Sequence, residues 1–259
     1  MCIRDRCVWC VCVLELFAGS RSIGKAAEQL GMEVYSTDIT AYDGIDLVAD
    51  IRDVQAHNLP GKFDIVWASP PCTAFSVAAM GHHWYPGYVP KTEGARLGMQ
   101  LSIKTVELIK ELNPLFYFIE NPRGMMRKMT WMQSLTRTTV WYCRYGDNRA
   151  KPTDIWSNHI YTLNCPDGFQ PRTCYNGNVH CHHDKCPRGS NNGLGTQGRK
   201  NNHERSKIPH ELCIEILKSC QHDSTTDQEV QRPAQRIREA GRLDTRPAAT
   251  AVHIGLRNH

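Results

Sequence analysis

Few local patterns constrain a chain as tightly as an apolar run that stops at two consecutive prolines. Asp64-Ile65-Val66-Trp67-Ala68-Ser69-Pro70-Pro71-Cys72-Thr73-Ala74-Phe75-Ser76 is such a run. Proline has no N–H to give a sheet and restricts the residue before it, so a strand over Phe63 to Ala68 must end there. Cys72 is then held at the carboxyl end of a strand, the edge at which open α/β sheets bind their ligands. A buried structural cysteine is the plain alternative, since free Cys is among the most buried residue types.

The neighbouring segments predict the rest of the sheet. Val11 to Phe17 is a short apolar run that ends in Ala18-Gly19-Ser20, and Ile23 to Leu30 has helical spacing with Gly31 as its stop. A second strand runs from Glu33 to Asp38. Leu97, Leu101, Val106, Ile109 and Leu112 trace an amphipathic helix from Glu93 that Asn113-Pro114 stops, and Leu115 to Ile119 is a strand leading to Glu120-Asn121-Pro122. Alternating strands and helices predict an α/β fold with a doubly wound, mostly parallel sheet. The segment Ser76 to Thr92 has no clean period and reads as a long mobile loop behind the thiol. Thr138 to Tyr145 reads as a further strand, Arg149 to Asn158 as an exit from the regular region, and Ile208 to Cys220 as a helix.

The chain has 259 residues, of which 41% are hydrophobic, enough for one sizeable domain and a small appendage. No apolar run reaches the roughly 18 to 20 residues of a membrane span, so the chain reads as soluble, with no membrane partner. A net charge of +5 permits a polyanionic partner without requiring one. Twelve cysteines crowd the start and a late cluster, a layout that fits an intracellular enzyme with a reactive thiol and a metal cluster better than a secreted disulfide framework. Met1 to Arg6 resembles a translated sequencing adapter, so residues 1–12, including the metal-like spacing Cys7-Val8-Trp9-Cys10, read as a non-native leader. The expected organisation is a catalytic domain over 13–160, a Cys/His-rich segment over 161–204, a returning helix over 205–220, and a disordered tail over 221–259.

The Gly19 turn would let backbone N–H groups approach a ligand, and Asp38 at the end of the second strand could accept hydrogen bonds from ribose hydroxyls, which together suggest a nucleoside-bearing cofactor. A simple capped strand-to-helix connection is the alternative. There is no full Gly-x-Gly-x-x-Gly fingerprint and no Walker lysine loop.

Leu16-Phe17-Ala18-Gly19, Pro70-Pro71-Cys72-Thr73-Ala74-Phe75-Ser76 and Glu120-Asn121-Pro122, in this order, resemble the cytosine-C5 DNA methyltransferase family in a compact, phage-type form. The resemblance covers about Val13 to Asn158, and Arg205-Ser206-Lys207-Ile208-Pro209 looks like the late motif that closes back onto the cofactor domain. It implies a Rossmann-like fold that binds S-adenosylmethionine through Phe17, Ala18, Gly19, Ser20, Asp38, Ile39, Asp50, Ile51 and Pro70. Cys72 would attack C6 of a flipped cytosine, Glu120 would act at N3, and Arg149 and Lys151, with Arg144 a weaker candidate, would contact the base and its phosphates. Double-stranded DNA is the implied partner, with a cognate restriction endonuclease, a monomeric state and a host-cytoplasm location as accompanying expectations. Thr73, Pro122 and Arg21 stand where the family usually has Gln, Val and a second Gly.

The late cluster offers Cys165, Cys174, Cys181 and Cys186, with His182 or His183 as further donors, enough for one structural zinc in the place of a target-recognition region. A loop whose cysteines share no purpose is the alternative. A transfer-RNA branch of the family uses the same chemistry, and a non-catalytic nucleic-acid-binding scaffold is a reading of another class. Amino-group methyltransferases place Asn or Asp before a Pro-Pro-aromatic turn, where this chain has Ser69 and Cys72.

Overall fold

The computed structural model describes residues 10–77, 80–183 and 205–222. Cys186, the start of the expected leader and the expected tail from residue 223 lie outside the described residues.

Seven strands form the main sheet: β1 (Cys12–Leu16), β2 (Glu33–Asp38), β3 (Leu47–Val48), β4 (Ile65–Ala68), β7 (Phe116–Pro122), β8 (Arg137–Trp141) and β9 (Pro152–Ser157). Their order is β3-β2-β1-β4-β7-β9-β8, with β9 antiparallel to both neighbours and the other pairs parallel. β1 begins at Cys12, within the expected leader.

Period-2 burial divides the core by sheet face. Leu14, Leu16, Val66, Ala68, Tyr117 and Ile119 point to one face, which α3 (Glu93–Leu112) covers through Leu101, Val106, Leu108 and Ile109. Val13, Ile65, Trp67, Phe116 and Phe118 point to the other, against α1 (Ser22–Gln29) and α5 (His210–His222), the helix that follows the short α4 (Thr130–Gln133) in the chain. Helices on both faces make the sheet doubly wound, as the alternation of elements predicts. Thr92 caps α3 by accepting from the Ala95 N–H, and Asn113, in the left-handed region at φ 49°, ends it.

The segment after the thiol is more structured than its composition predicts. It holds a short helix α2 (Met80–His83) and a hairpin of β5 (Trp84–Tyr85) with β6 (Val89–Pro90). Trp84 supplies the reason: its ring lies 5.6 Å from that of Phe75, and its indole N–H donates to the Ala74 carbonyl at 2.7 Å. The exit predicted over Arg149 to Asn158 contains β9 instead, inserted between β7 and β8. Its polar residues Thr153, Asp154 and Ser157 are buried, and Arg127 and Arg137 pair with Asp154, so the strand lacks an apolar signature. The strand predicted to Tyr145 ends at Trp141, and Tyr142–Tyr145 form one 3₁₀ turn.

Candidate active site

The carboxyl ends of β1, β2, β4 and β7 face one edge of the sheet. After β1 the chain turns sharply through Phe17 (φ 58°), Gly19 (φ 48°) and Arg21 (φ 54°), all left-handed. Arg21, where glycine would be unstrained, is held by bonds to Ser36 Oγ at 3.2 Å and Glu28 at 2.5 Å. Buried Glu15 braces the turn by accepting from the Ile23 and Gly24 N–H groups at 3.0 Å and from the Ser36 hydroxyl at 3.2 Å. Burial outweighs these bonds and raises its carboxyl to about 7.

Asp38 accepts from the Gly19 N–H at 2.9 Å with one oxygen and from the Thr40 N–H at 2.9 Å with the other. A carboxylate has about four lone-pair sites, so two remain for ligand hydroxyls. Beside it Ile39 is 67% exposed, an apolar surface next to a polar anchor. A Cβ on Gly19 would meet no atom closer than 3.9 Å, so the space over the turn is open to a ligand. Carboxylate, open turn and apolar face together fit a charged nucleoside ligand such as S-adenosylmethionine. Ser20 bonds the Ser22 hydroxyl at 2.9 Å, Ala18 and Pro70 are buried, and Ile51 packs into the core. Asp50 is engaged by Arg52, whose side-chain and backbone hydrogen bonds hold its carboxyl below the usual range.

The Cys72 turn is locked to the end of β7. Asn121, wholly buried, donates from Nδ2 to the Pro70 carbonyl at 2.8 Å, while its Oδ1 has no hydrogen-bond partner. Phe75 and Ser76 donate their N–H groups to the Cys72 carbonyl, and Met125 N–H donates to Phe75 O at 2.7 Å. Gly124 allows this approach, since a Cβ there would fall 2.2 Å from Phe75 O.

Cys72 is solvent-accessible as a residue, yet protein crowds its sulfur. That desolvation pushes the thiol above its ordinary value and Glu120 pushes it further, while Lys151 and Arg205 pull it down. Glu120 is buried and accepts from the Tyr142 hydroxyl at 2.8 Å. Burial and the charge of Glu120 hold that phenol well above its usual range, so it donates. The Lys151 ammonium, its own affinity for a proton lowered by burial, lies 4.6 Å from the Tyr142 ring centroid and 3.3 Å from the Arg205 carbonyl.

Arg149 lies over the Tyr142 ring, its guanidinium carbon 5.6 Å from the ring centroid, and is held from behind. It pairs with Asp147 and donates to the carbonyls of Arg205 at 3.0 Å and Lys207 at 3.2 Å. Its guanidinium therefore ties the chain before α5 to the turn before β9, and the Ile208 N–H completes the closure on Ser22 Oγ at 3.2 Å. Arg144 is exposed, and its carbonyl accepts from Arg172.

Of the cysteines and histidines of the late segment, the structure brings together Cys174, Cys181 and His183 with Cys143, their donor atoms all within 4.8 Å of one another. Cys165 lies elsewhere, its sulfur 3.8 Å from His159 Nδ1, and His182 Nε2 is 3.2 Å from the Asp147 carbonyl oxygen. Sequence reasoning missed Tyr142 and Cys143, both inside a segment with the pattern of a strand, and no local signal distinguishes them.

The sequence profile of the C-5 cytosine-specific DNA methylase family matches residues 12–136. A protein of Frog virus 3 (isolate Goorha) named "Probable DNA (cytosine-5)-methyltransferase" is 28% identical over 229 residues, 80% of this chain and 99% of the relative. Among solved structures, one from an Escherichia coli prophage, described as a DNA modification methyltransferase, aligns at 18% identity and a TM-score of 0.44 over 57% of this chain and 46% of its own. The Entamoeba histolytica methyltransferase EhMeth aligns at 12% identity and 0.42, over 68% and 57%. The chain thus spans about half the length of these two solved proteins. No helix among the described residues is long and apolar enough to cross a membrane.

Proposed function

We propose that the chain is a member of the C-5 cytosine-specific DNA methylase family, whose profile matches residues 12–136, and that it methylates C5 of cytosine in double-stranded DNA with S-adenosylmethionine as donor. The observation that carries this reading is the meeting of Cys72, Glu120 and Lys151 at adjoining strand ends, with Asn121 bridging the thiol turn to the Glu120 strand.

C5 of cytosine is a weak nucleophile, and the two side chains answer that weakness together. The Cys72 thiolate forms a bond to C6, and the electron pair of the C5–C6 double bond moves into the ring. Glu120 holds or delivers a proton at N3, so the developing negative charge is neutralised and C5 becomes enamine-like. When bound, S-adenosylmethionine supplies the electrophilic methyl group. Loss of the C5 proton to water, return of the N3 proton to Glu120 and cleavage of the sulfur–C6 bond would then restore the aromatic ring and the thiolate. Asp38, Ile39 and the Gly19 turn would hold the cofactor's nucleoside part. Lys151 favours the thiolate by its charge. C6 is hidden inside a duplex, so the target base must leave the stack before attack.

The test is transfer of labelled methyl to unmethylated duplex DNA and, in parallel, to transfer RNA. Wild-type protein should label DNA, and Cys72→Ala should lose on the order of 10⁴-fold or more of that rate while still binding S-adenosylmethionine. Label in transfer RNA alone would move the substrate to RNA. A folded, cofactor-binding protein that labels neither would leave a non-catalytic scaffold as the reading.

A further inference from the structure

The cluster of Cys143, Cys174, Cys181 and His183 is absorbed by none of the chemistry above. Its ligand atoms come from two distant parts of the chain. Cys143 is buried in the 3₁₀ turn after β8, whereas the other three belong to the irregular segment that follows β9. A turn over Tyr175 to Asn178, with Gly177 at φ 83°, folds Cys174 back toward Cys181. Cys143 Sγ lies within 4.8 Å of both other sulfurs, and Cys174 Sγ lies 4.0 Å from His183 Nδ1. Asn178 adds an outer partner by donating from Nδ2 to Cys174 Sγ at 3.4 Å.

We propose that these four residues form a closed tetrahedral zinc site that fastens the segment after β9 to the turn carrying Tyr142. Three thiols and one imidazole are the donor set of structural zinc, and four protein ligands leave no open position for catalysis. Zinc–sulfur bonds of about 2.3 Å imply sulfur–sulfur edges of about 3.8 Å, so an array already within 4.8 Å needs a contraction of less than about 1 Å. Phe169 in the core and Arg172, paired with Glu211 and Glu215, anchor the segment ahead of the cluster, but the part that carries the ligands has little support of its own. Between residues 159 and 183 there are isolated bridges but no named strand or helix among the described residues, and Leu163, Tyr161, Tyr175 and Val179 are exposed. A metal supplies stability that residues 174–183, with Tyr175 and Val179 exposed, do not draw from the core.

The consequence reaches the target-base side of the site. Cys143 follows Tyr142, the hydrogen-bond donor to Glu120, and Tyr145 in the same turn accepts the Arg172 N–H at 2.9 Å. A metal at Cys143 would therefore fix the turn that orients Glu120, while β1 and β2, at the other side of the sheet, would be indifferent to it. Metal content is independent of which nucleic acid is methylated, so this inference and the functional reading fail separately.

The experiment is elemental analysis of the full chain purified under reducing conditions, followed by cobalt substitution. About one zinc per chain is expected. Cys174→Ser and Cys181→Ser should each bring that ratio below about a tenth, whereas Cys165→Ser should leave it unchanged. If the serine variants do not fold, cobalt-loaded wild-type protein decides: intense visible bands and thiolate-to-cobalt charge transfer mark a tetrahedral thiolate site. Metal-free protein with titratable thiols, a disulfide among Cys143, Cys174 and Cys181, a weakly absorbing six-coordinate cobalt spectrum, or zinc retained by a folded Cys174→Ser/Cys181→Ser double variant would each overturn the assignment.

Discussion

The two ends of the sheet are held together by different chemistry. At the β1–β4 end, successive strands pair in parallel through Val13, Leu14, Ile65, Val66 and Trp67, all fully buried, and Glu15 is the charged residue buried among them. At the β8–β9 end, Asp154, Arg149 and Lys151 are buried together with Tyr142, and their partners lie up to 58 residues away in sequence, as Lys207 does from Arg149. The first end is a scaffold made by apolar alternation, with ligand groups added at its edge. The second is a polar assembly that fixes charged groups around a thiol. If this division is real, substitutions at the polar end should alter catalysis and its pH dependence, whereas those at the apolar end should alter folding stability.

Of the substitutions that test this division, Lys151→Met should give the largest effect. The ammonium favours the Cys72 thiolate, so its loss lets the thiol rise further above its ordinary value. A thiol with a higher pKa yields less thiolate at neutral pH, and the acid limb of kcat/KM therefore moves to higher pH. Loss of a buried charge beside a developing anion costs on the order of 10²- to 10³-fold in kcat. The loss should be partly recovered in alkaline buffer. A uniform loss at every pH, with the limb unmoved, would mean that Lys151 only binds substrate.

Glu15→Gln tests the apolar end. The folded protein raises this carboxyl from 4.5 to about 7, so the native state binds its proton more tightly than the unfolded chain does. Stability from this group is fully present below about pH 4.5 and is lost as pH rises through about 7, by up to about 3 kcal/mol. The wild-type Tm should therefore fall between pH 5 and pH 8, and the Gln variant should be flatter over that range. Its Tm at acid pH should be lower, because an amide offers one oxygen where the acid serves two backbone N–H groups. Parallel curves for the two proteins would remove Glu15 from the account.

The same division explains what could be read from the sequence. Strands β1, β2, β4 and β7 and helices α1 and α3 follow from local apolar period, because each buries one face against a neighbour near in sequence. The thiol turn and Glu120 also stand out locally, as polar groups placed directly after apolar strands. β9 is hidden because Pro152, Thr153, Asp154 and Ser157 have the composition of a loop, and the burial of Asp154 is made tolerable by Arg127, Arg137 and Thr139, contributed from elsewhere. The hairpin over Trp84 to Pro90 is hidden for a similar reason, since it depends on a tryptophan docking ten residues back on Ala74. Cys143 belongs with Cys174 only once β8 and the later segment have been folded together.

Tyr142→Phe should give the smallest effect and the sharpest comparison. The substitution keeps the buried ring beneath the Lys151 ammonium and removes only the hydroxyl that donates to Glu120 at 2.8 Å. A hydrogen bond to a charged group is worth about 1.5–3 kcal/mol, so about a tenfold or larger fall in kcat/KM for the nucleic-acid substrate is expected. The hydroxyl fixes the carboxylate near where N3 would sit and makes no contact with the turn over Phe17 to Ser20, so the KM for S-adenosylmethionine should not change. Restoring a donor by Tyr142→His should recover activity only if its ring nitrogen reaches Glu120, whereas a merely structural role would show as a loss of Tm with kcat intact. An equal weakening of cofactor affinity and turnover in Tyr142→Phe would sink the division itself, because the apolar and polar ends of the sheet would then be acting as one unit.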